Sequence, residues 1–394
     1  MGGAGAWLNR MRAASLPVLF GRWEATERPL ARMPRGLARL ALALLLAGLL
    51  WSSLAASAAR SIGSGAPGEA SPLINAPAAP APEQALGSGD LALYERIRAR
   101  VAAGEPYYAA AMDEQRARDY PTRPFVAVRL PTLAVAGATL GLPAMRVLAG
   151  GLLAAAMAAL QRRLAERTTR AERIAAQGML VFGGAAAFVL PQVGLIHEVF
   201  AGLLLALALL LYRPGRWGAS LIAAALALAI RELAAPFVFL WLALALAGAR
   251  WREAAGVAGL LVLFAIGMGA HYAAVEAGRL ASDPVSQGWG GLAGPGLPLV
   301  ALIRLTPLAL LPPGVAGPLA LLPLVGWAGL GGRLGLLASL WFAGFLFAVA
   351  LLARPDTFYW TQLVLPAYAV GFALAPRAIA DLGKAALAPA ASEA

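Results

Sequence analysis

From residue 37 to residue 375 the chain alternates between apolar runs and short blocks that carry arginine. Several of those runs approach the roughly 20 residues that a helix needs to cross a bilayer. Such runs must be enclosed by lipid or by other helices, and in lipid every backbone group has to bond inside its own segment. The pattern predicts an all-α chain, a polytopic transmembrane helix bundle. The balance of residues agrees: 60% are hydrophobic, 13% are charged and the mean hydropathy is +0.71, far from the make-up of a soluble domain. Leu, Ala and Gly dominate, so helices can approach closely. Cysteine is absent, which excludes disulfides, thiolate catalysis and Cys-ligated metals. His197 and His271 are the only imidazoles, too few for a His-rich metal centre. The net charge of +12 does not point to nucleic acid. The basic residues lie in short blocks between apolar runs, as orientation signals and anionic-lipid contacts do.

The first span is expected at 37–58. Arg28, Arg32, Arg35 and Arg39 precede or open it and put the N-terminal segment 1–35 in the cytoplasm. Ser57-Ala58-Ala59 has the small residues of a signal-peptidase site, but the n-region before it is far too long, so an uncleaved anchor is expected. Residues 60–89 are rich in Pro, Ala, Ser and Gly and read as a flexible external linker. Further spans are expected at 142–160, 175–190, 197–212, 217–231, 235–249, 254–272, 314–331, 334–353 and 358–375, about ten in all. They make a membrane domain over 36–376, followed by a cytoplasmic tail, 377–394. The connections 161–173, 213–216 and 250–252, with Arg333 and 377–384, carry the cytoplasmic positive charge. Residues 297–312 decide the topology, because a crossing there would invert everything after it. Pro298, Arg304, Pro307, Pro312 and Pro313 interrupt that stretch, so it is expected to be an external re-entrant or interfacial helix.

With this topology the uncommon polar residues fall on the extracytoplasmic side: Asp90, His197-Glu198, Arg231-Glu232, His271-Tyr272, Asp283 and Arg354-Pro355-Asp356. The run 217–230 reaches only roughly 21 Å at 1.5 Å per residue, against a hydrocarbon core about 30 Å thick. Arg231-Glu232 should therefore lie below the outer surface, with Pro236 opening the return helix. Ionisable groups at that depth are costly unless they pair or line a wet cavity. A polar cavity open to the outside follows.

The loop 59–124 carries most of the remaining information. A helix is predicted over 90–103, with Leu91, Tyr94, Ile97 and Val101 on one face and Arg96, Arg98 and Arg100 off it. This is an amphipathic interfacial helix with basic flanks, suited either to lie beside lipid phosphate or to act as a lid. A Gly104-Glu105-Pro106-Tyr107-Tyr108 turn follows, then Tyr120-Pro121-Thr122-Arg123-Pro124-Phe125 and Arg129-Leu130-Pro131. An acid soon after the first span, a helix, a Gly-x-Pro-Tyr-Tyr turn and a Pro/Arg segment together resemble the first external loop of the GT-C glycosyltransferases. The layout is most similar to bacterial mannosyltransferase-like members. The resemblance extends to the topology of 36–376, and to specific residues only in this loop.

That resemblance implies a polyprenyl-phosphate sugar donor and a glycan, lipid or protein acceptor. It implies a bacterial inner membrane, and a site facing the periplasm or cell exterior. The transfer would be inverting: a carboxylate takes the proton of the acceptor hydroxyl. The leaving polyprenyl phosphate needs cations rather than a general acid. The chain has no clear Asp-x-Asp or Glu-x-Asp pair, so no cofactor is assigned and a divalent metal is left open.

Asp90 is the candidate base; the alternative is that it only N-caps the helix beginning at Leu91. Arg231 and Glu232 are candidates for phosphate and a sugar hydroxyl, or an internal ion pair. His197 and Glu198 are candidates for phosphate or acceptor, or a helix-start pair in which Glu198 meets the N-terminal dipole. Arg354 offers a bidentate fork for phosphate, beside Tyr359 and Trp360, which read as an interfacial aromatic belt. Tyr94 joins the donor-binding candidates. Glu95, Asp113, Asp119 and Asp283 read as solvated loop charges. A transporter or flippase of a lipid-linked or anionic solute would also explain an external cavity, but would require an inverted repeat and broken helices near the midplane. An oligosaccharide ligase or polymerase would share substrate and side, with its large loop late in the chain. A structural membrane scaffold would leave Arg231-Glu232 unexplained.

Overall fold

The computed structural model describes residue 21 and residues 24–63 and 89–388. The remainder of the predicted N-terminal segment, most of the predicted linker and the end of the tail lie outside the described residues. Within them the chain is helical, with no β-strand. Helices longer than two turns are α1 (Arg35–Gly63), α2 (Asp90–Ala102), α3 (Tyr107–Arg116), α4 (Thr132–Leu140), α5 (Leu142–Leu164), α6 (Arg170–Gly183) and α7 (His197–Leu211). They continue as α8 (Gly218–Ile230), α9 (Ala235–Ala247), α10 (Trp251–Ala277), α11 (Gly296–Arg304), α12 (Pro313–Leu330), α13 (Gly332–Leu352) and α14 (Leu365–Leu387).

Among the described residues five helices are long and apolar enough to cross a membrane: Arg35–Ala59, Leu142–Leu164, Trp251–Ala277, Pro313–Leu330 and Gly332–Leu352. A sixth crossing results if the 3-10 stretch Pro355–Leu363 and α14, bent by 70°, count as one. Helices α7 and α8 and the stretch Glu232–Ala247, which contains α9, are equally apolar but shorter. Leu37, Leu40, Leu44, Leu50 and Leu54 of α1, and Val262, Leu263 and Ile266 of α10, stand exposed. Apolar surface of that extent belongs against lipid rather than water. The protein is a helical membrane protein.

The bundle has two unlike ends. At the basic end Glu24 lies between Arg250 (Nη1–Oε1, 2.9 Å) and Arg333 (Nη2–Oε2, 2.7 Å), Arg28 pairs with Asp381, and Arg377 pairs with Glu172 at 3.2 Å. The last residues of the predicted N-terminal segment are thus docked on the bundle. The predicted boundary at 376 falls inside α14, which continues through Pro376 to Leu387 because Asp381 and Leu382 are buried against residues 28–38. At the other end lie the starts of α7 and α9 and the ends of α8 and α13, around a cavity. Between the ends the core is tightly built. A Cβ added to Gly326 would sit 1.9 Å from the Gly371 carbonyl oxygen, so α12 and α14 touch backbone to backbone. The buried indole of Trp327 donates to the Ala367 carbonyl at 3.0 Å, and Tyr368 donates to the Ala320 carbonyl at 2.6 Å, as polar atoms in a dry core must.

Residues 296–310 form the nine-residue α11 and a 3-10 turn, Pro307–Leu310. About 13.5 Å of helix cannot cross a core of about 30 Å. Both ends of the stretch sit at the cavity end: Gly294 N–H bonds the Ala350 carbonyl near the end of α13, and Gly314 lies beside Ser53 and Ser57 of α1.

The loop forms a small module with its own core of Leu93, Ile97, Tyr107, Met112, Val128 and Val275. Helix α2 turns Tyr94, Ile97 and Val101 of the expected stripe to this core, with Leu93 in the place expected of Leu91, because α3 and α4 pack on that side. Its basic flank is largely neutralised: Arg98 pairs with Glu95 at 2.6 Å, and Arg100 with Glu105 and Glu114. Asp283 is not a solvated charge. It is buried, accepting Arg116 Nε at 2.6 Å, Arg116 Nη2 at 3.1 Å and the Leu280 N–H at 3.0 Å. The Arg116 guanidinium holds its carboxyl down at about 2, with the Leu280 N–H adding to the effect. His271 also serves docking: its Nδ1 meets the Tyr108 hydroxyl at 3.0 Å and its Nε2 the Val128 carbonyl at 3.1 Å.

Candidate functional site

A cavity of about 620 Å³ opens at the end opposite the arginine network. Asp90, Tyr94, His197, Arg231, Glu232 and Arg354, drawn from the loop module and from three separate parts of the bundle, all line it. Glu198, the remaining candidate, sits directly behind, bonded to Arg231. The distribution follows from local geometry. Helix α8 is short, so Arg231 emerges below the end of its neighbours, and Glu232–Ala234 makes a 3-10 turn before Pro236 restarts the helix near its N1 position.

Asp90 is the first residue of α2, with Gly89 at the N-cap and no side-chain cap bond. The helix begins at Asp90, as predicted, and not at Leu91 as the capping alternative required, because Gly89 (φ 91°) takes the capping position. The carboxylate is thus free of capping. Its Oδ1 accepts the Tyr120 hydroxyl at 2.9 Å. Among the described residues Oδ2 has no hydrogen bond. Burial, then the neighbouring Asp90 charge, push the Tyr120 hydroxyl above its ordinary value, so it remains a donor at neutral pH.

Arg231 is enclosed. Its side chain is 1% exposed, with Nε donating to Glu198 at 2.8 Å and Nη1 to Glu232. The internal ion-pair reading describes it, and its fork is taken by two carboxylates. His197 is buried beside this triad, edge-on to the Tyr94 ring at 5.1 Å, with neither ring nitrogen hydrogen-bonded. Arg354 lies at the rim, bonded to Gln287 at 2.8 Å and to Asp356 at 3.1 Å.

The residue that sequence reasoning passed over is Arg129. Its Nε donates to the Tyr94 hydroxyl at 3.1 Å and its Nη2 to the Tyr359 hydroxyl at 3.3 Å. Among the described residues no carboxylate lies within ion-pair distance. A guanidinium held by phenols in a cavity wall keeps its full charge and donors to spare for an anion. The Tyr107 hydroxyl fixes the backbone below it, donating to the Arg129 carbonyl at 2.7 Å. Tyr359 and Trp360 are therefore cavity walls rather than a belt facing lipid, and Trp289 stands against Trp360 at 6.1 Å. The available signal was a lone arginine inside the apolar run 125–131, but its depth comes from tertiary packing.

A carboxylate with one oxygen unbonded among the described residues, a cation with no carboxylate at ion-pair distance among them, and aromatic walls share one enclosure. Such a site can take a proton from a hydroxyl and hold an oxyanion. Among the described residues no group of three or more His, Asp or Glu side chains could hold a metal ion, and no step is assigned to one. Comparison with protein-family models, curated proteins and solved structures returned no match to this chain.

Proposed function

We propose that this protein is a membrane glycosyltransferase of the GT-C type, moving a sugar from a polyprenyl-phosphate donor to an acceptor hydroxyl at the extracytoplasmic face. The carrying observation is that Asp90, with one carboxylate oxygen unbonded among the described residues, and Arg129, with no carboxylate at ion-pair distance among them, line one cavity. Asp90 Oδ2 takes the proton of the acceptor hydroxyl as the hydroxyl oxygen attacks the anomeric carbon. The bond from that carbon to the phosphate oxygen breaks, and its electron pair leaves with the polyprenyl phosphate. Arg129 holds the departing phosphate, with Arg354 as a second cation at the rim. Arg231, Glu198 and Glu232 keep the floor of the site in register. Aromatic walls from Tyr94, Trp289, Tyr359 and Trp360 suit a sugar ring.

The reading carries ten crossings, α1, α5 to α10 and α12 to α14, with the short ones shielded by the others and with α11 lying at the outer surface. The ends support it. The arginine blocks gather at one end, which the positive-inside rule makes cytoplasmic. That end is filled by Glu24, Glu253 and their partners, which favours a one-sided site over a conduit. A bacterial inner membrane fits the donor.

The test uses purified wild type, Asp90→Asn and Arg129→Gln with a panel of polyprenyl-phosphate sugars and membrane glycolipid extract. Release of polyprenyl phosphate and labelled product are measured. Wild-type turnover is expected, with a loss of at least ~100-fold in each variant. Asp90→Asn should retain donor binding and Arg129→Gln should lose it. Full activity of Asp90→Asn removes the base assignment, and uptake of the donor without transfer replaces the enzyme with a transporter.

A further inference from the structure

A second concentration of charge, unrelated to the cavity, lies at the basic end where α5 stops. Arg162 and Arg163 occupy the last turn of α5 and Arg167 follows. Arg213, just past α7, donates through Nη2 to the Arg162 carbonyl at 3.4 Å, which draws another guanidinium to the same helix end. The Arg163 guanidinium lies in the field of both Arg167 and Arg213, which act on it more strongly than the opposing Glu166. Arg167 has a carboxylate, Glu27, at 3.3 Å. Among the described residues Arg162, Arg163 and Arg213 have none within ion-pair distance. The buried Nε of Arg163 and Nη1 of Arg167 have no hydrogen-bond partner.

A helix C-terminus welcomes one cation through its free carbonyls. It does not account for several, since like charges four residues apart on a helix repel. What neutralises such a group is an anion that several guanidinium forks can share. The surface beside it says which source supplies that anion. Val147, Leu148, Gly151, Ala154, Ala155 and Ala158 form an exposed stripe down α5, which runs into Gln161 and Arg162. Apolar surface that ends in a cationic notch is the shape left by acyl chains below a phosphate.

We infer that Arg162, Arg163, Arg167 and Arg213 bind the headgroup phosphate of an anionic phospholipid whose chains lie along α5. The site is independent of the transferase reading and stands or falls without it.

The experiment measures lipid retention by the full-length protein in detergent, by native mass spectrometry, with phosphatidylglycerol and phosphatidylcholine as probes. Wild type should hold phosphatidylglycerol in preference to phosphatidylcholine. The Arg163→Gln/Arg213→Gln double variant should bind phosphatidylglycerol about tenfold more weakly, while Arg304→Gln, at the opposite end, should not change. Equal retention by wild type and a folded double variant, judged by its melting temperature, overturns the inference. A second arm offers inorganic phosphate and glycerol phosphate to delipidated protein. Failure of either to bind supports a site that needs the lipid. Binding of soluble phosphate that depends on Arg163 and Arg213 and displaces phosphatidylglycerol overturns the lipid assignment in favour of a free oxyanion site.

Discussion

At the scale of single residues, the two arginines of the cavity differ in what holds them. Arg231 sits between Glu198 and Glu232 with 1% of its side chain exposed, whereas Arg129 rests on phenol oxygens. Removing Arg231 would strand two carboxylates against each other in a buried place. Arg231→Met should therefore lower stability by about 3–5 kcal/mol, read as thermal unfolding in detergent. Glu198→Gln in the same chain should restore part of that loss, because the two changes couple through one contact. Arg129→Gln should melt closer to wild type, since its partners are the neutral Tyr94 and Tyr359 hydroxyls, and its loss leaves no carboxylate at ion-pair distance stranded. A wild-type melting curve for Arg231→Met would show that the triad is not structural. The sequence made Asp90, Tyr94, His197, Arg231, Glu232 and Arg354 legible because each is a polar residue out of place in an apolar chain. It did not separate Arg231 from Arg129. Which cation is neutralised depends on Glu198, 33 positions from Arg231, and no local pattern encodes that.

At the scale of elements, the loop module is fastened by contacts that are distant in sequence. Asp283, 167 positions from Arg116, accepts it at 2.6 Å, and His271 on α10 joins Tyr108 to the Val128 carbonyl. The existence of α2 and its start near Asp90 were readable from period and flanking residues. Its buried face was readable in part: Tyr94, Ile97 and Val101 turn inward as the stripe predicted, but Leu93 replaces Leu91 because α3 and α4 pack there. Asp283 read as solvated for the same reason, its partner being supplied by another element. Its carboxyl is held down at about 2 by Arg116, below the ordinary carboxylate value of about 3.9. A depressed carboxylate contributes stability that is complete above the unfolded value and is lost as pH falls through the folded one. The fastening should thus be constant from pH 5 to pH 8 and weaken only below about pH 4. Asp283→Asn should reproduce the acid state at pH 7. Hydrogen exchange over 107–131 is expected to quicken in that variant while exchange in α12 and α14 stays as in wild type. Unchanged exchange over 107–131 would remove the pair from the account of how the loop is held.

At the scale of the whole molecule, the ends of the bundle carry the topology. Among the described residues the helices α1, α5 to α10 and α12 to α14 make up the bundle, with arginine ion pairs gathered at one end and the cavity at the other. Runs of apolar residues showed where these helices would be, and the blocks of arginine showed which ends would gather. Length and composition support five or six crossings, and the ten proposed above include α7 to α9, which are apolar but short for a span. The stretch 296–310 is the decisive piece, since a crossing there reverses α12, α13 and α14 together. Its nine-residue helix and the attachment of Gly294 to Ala350 keep it at the cavity end. The chain has no cysteine, so single cysteines report side without a background. Ser286→Cys precedes the stretch and Leu310→Cys, at an exposed position, closes it. Both should react with a membrane-impermeant maleimide added to intact cells or right-side-out vesicles. Glu166→Cys, at the arginine end, should react only after the membrane is opened. Labelling of Ser286→Cys and Leu310→Cys from opposite sides would make 296–310 a crossing, move Arg354 and Tyr359 away from Asp90, and dissolve the cavity on which the transferase reading rests.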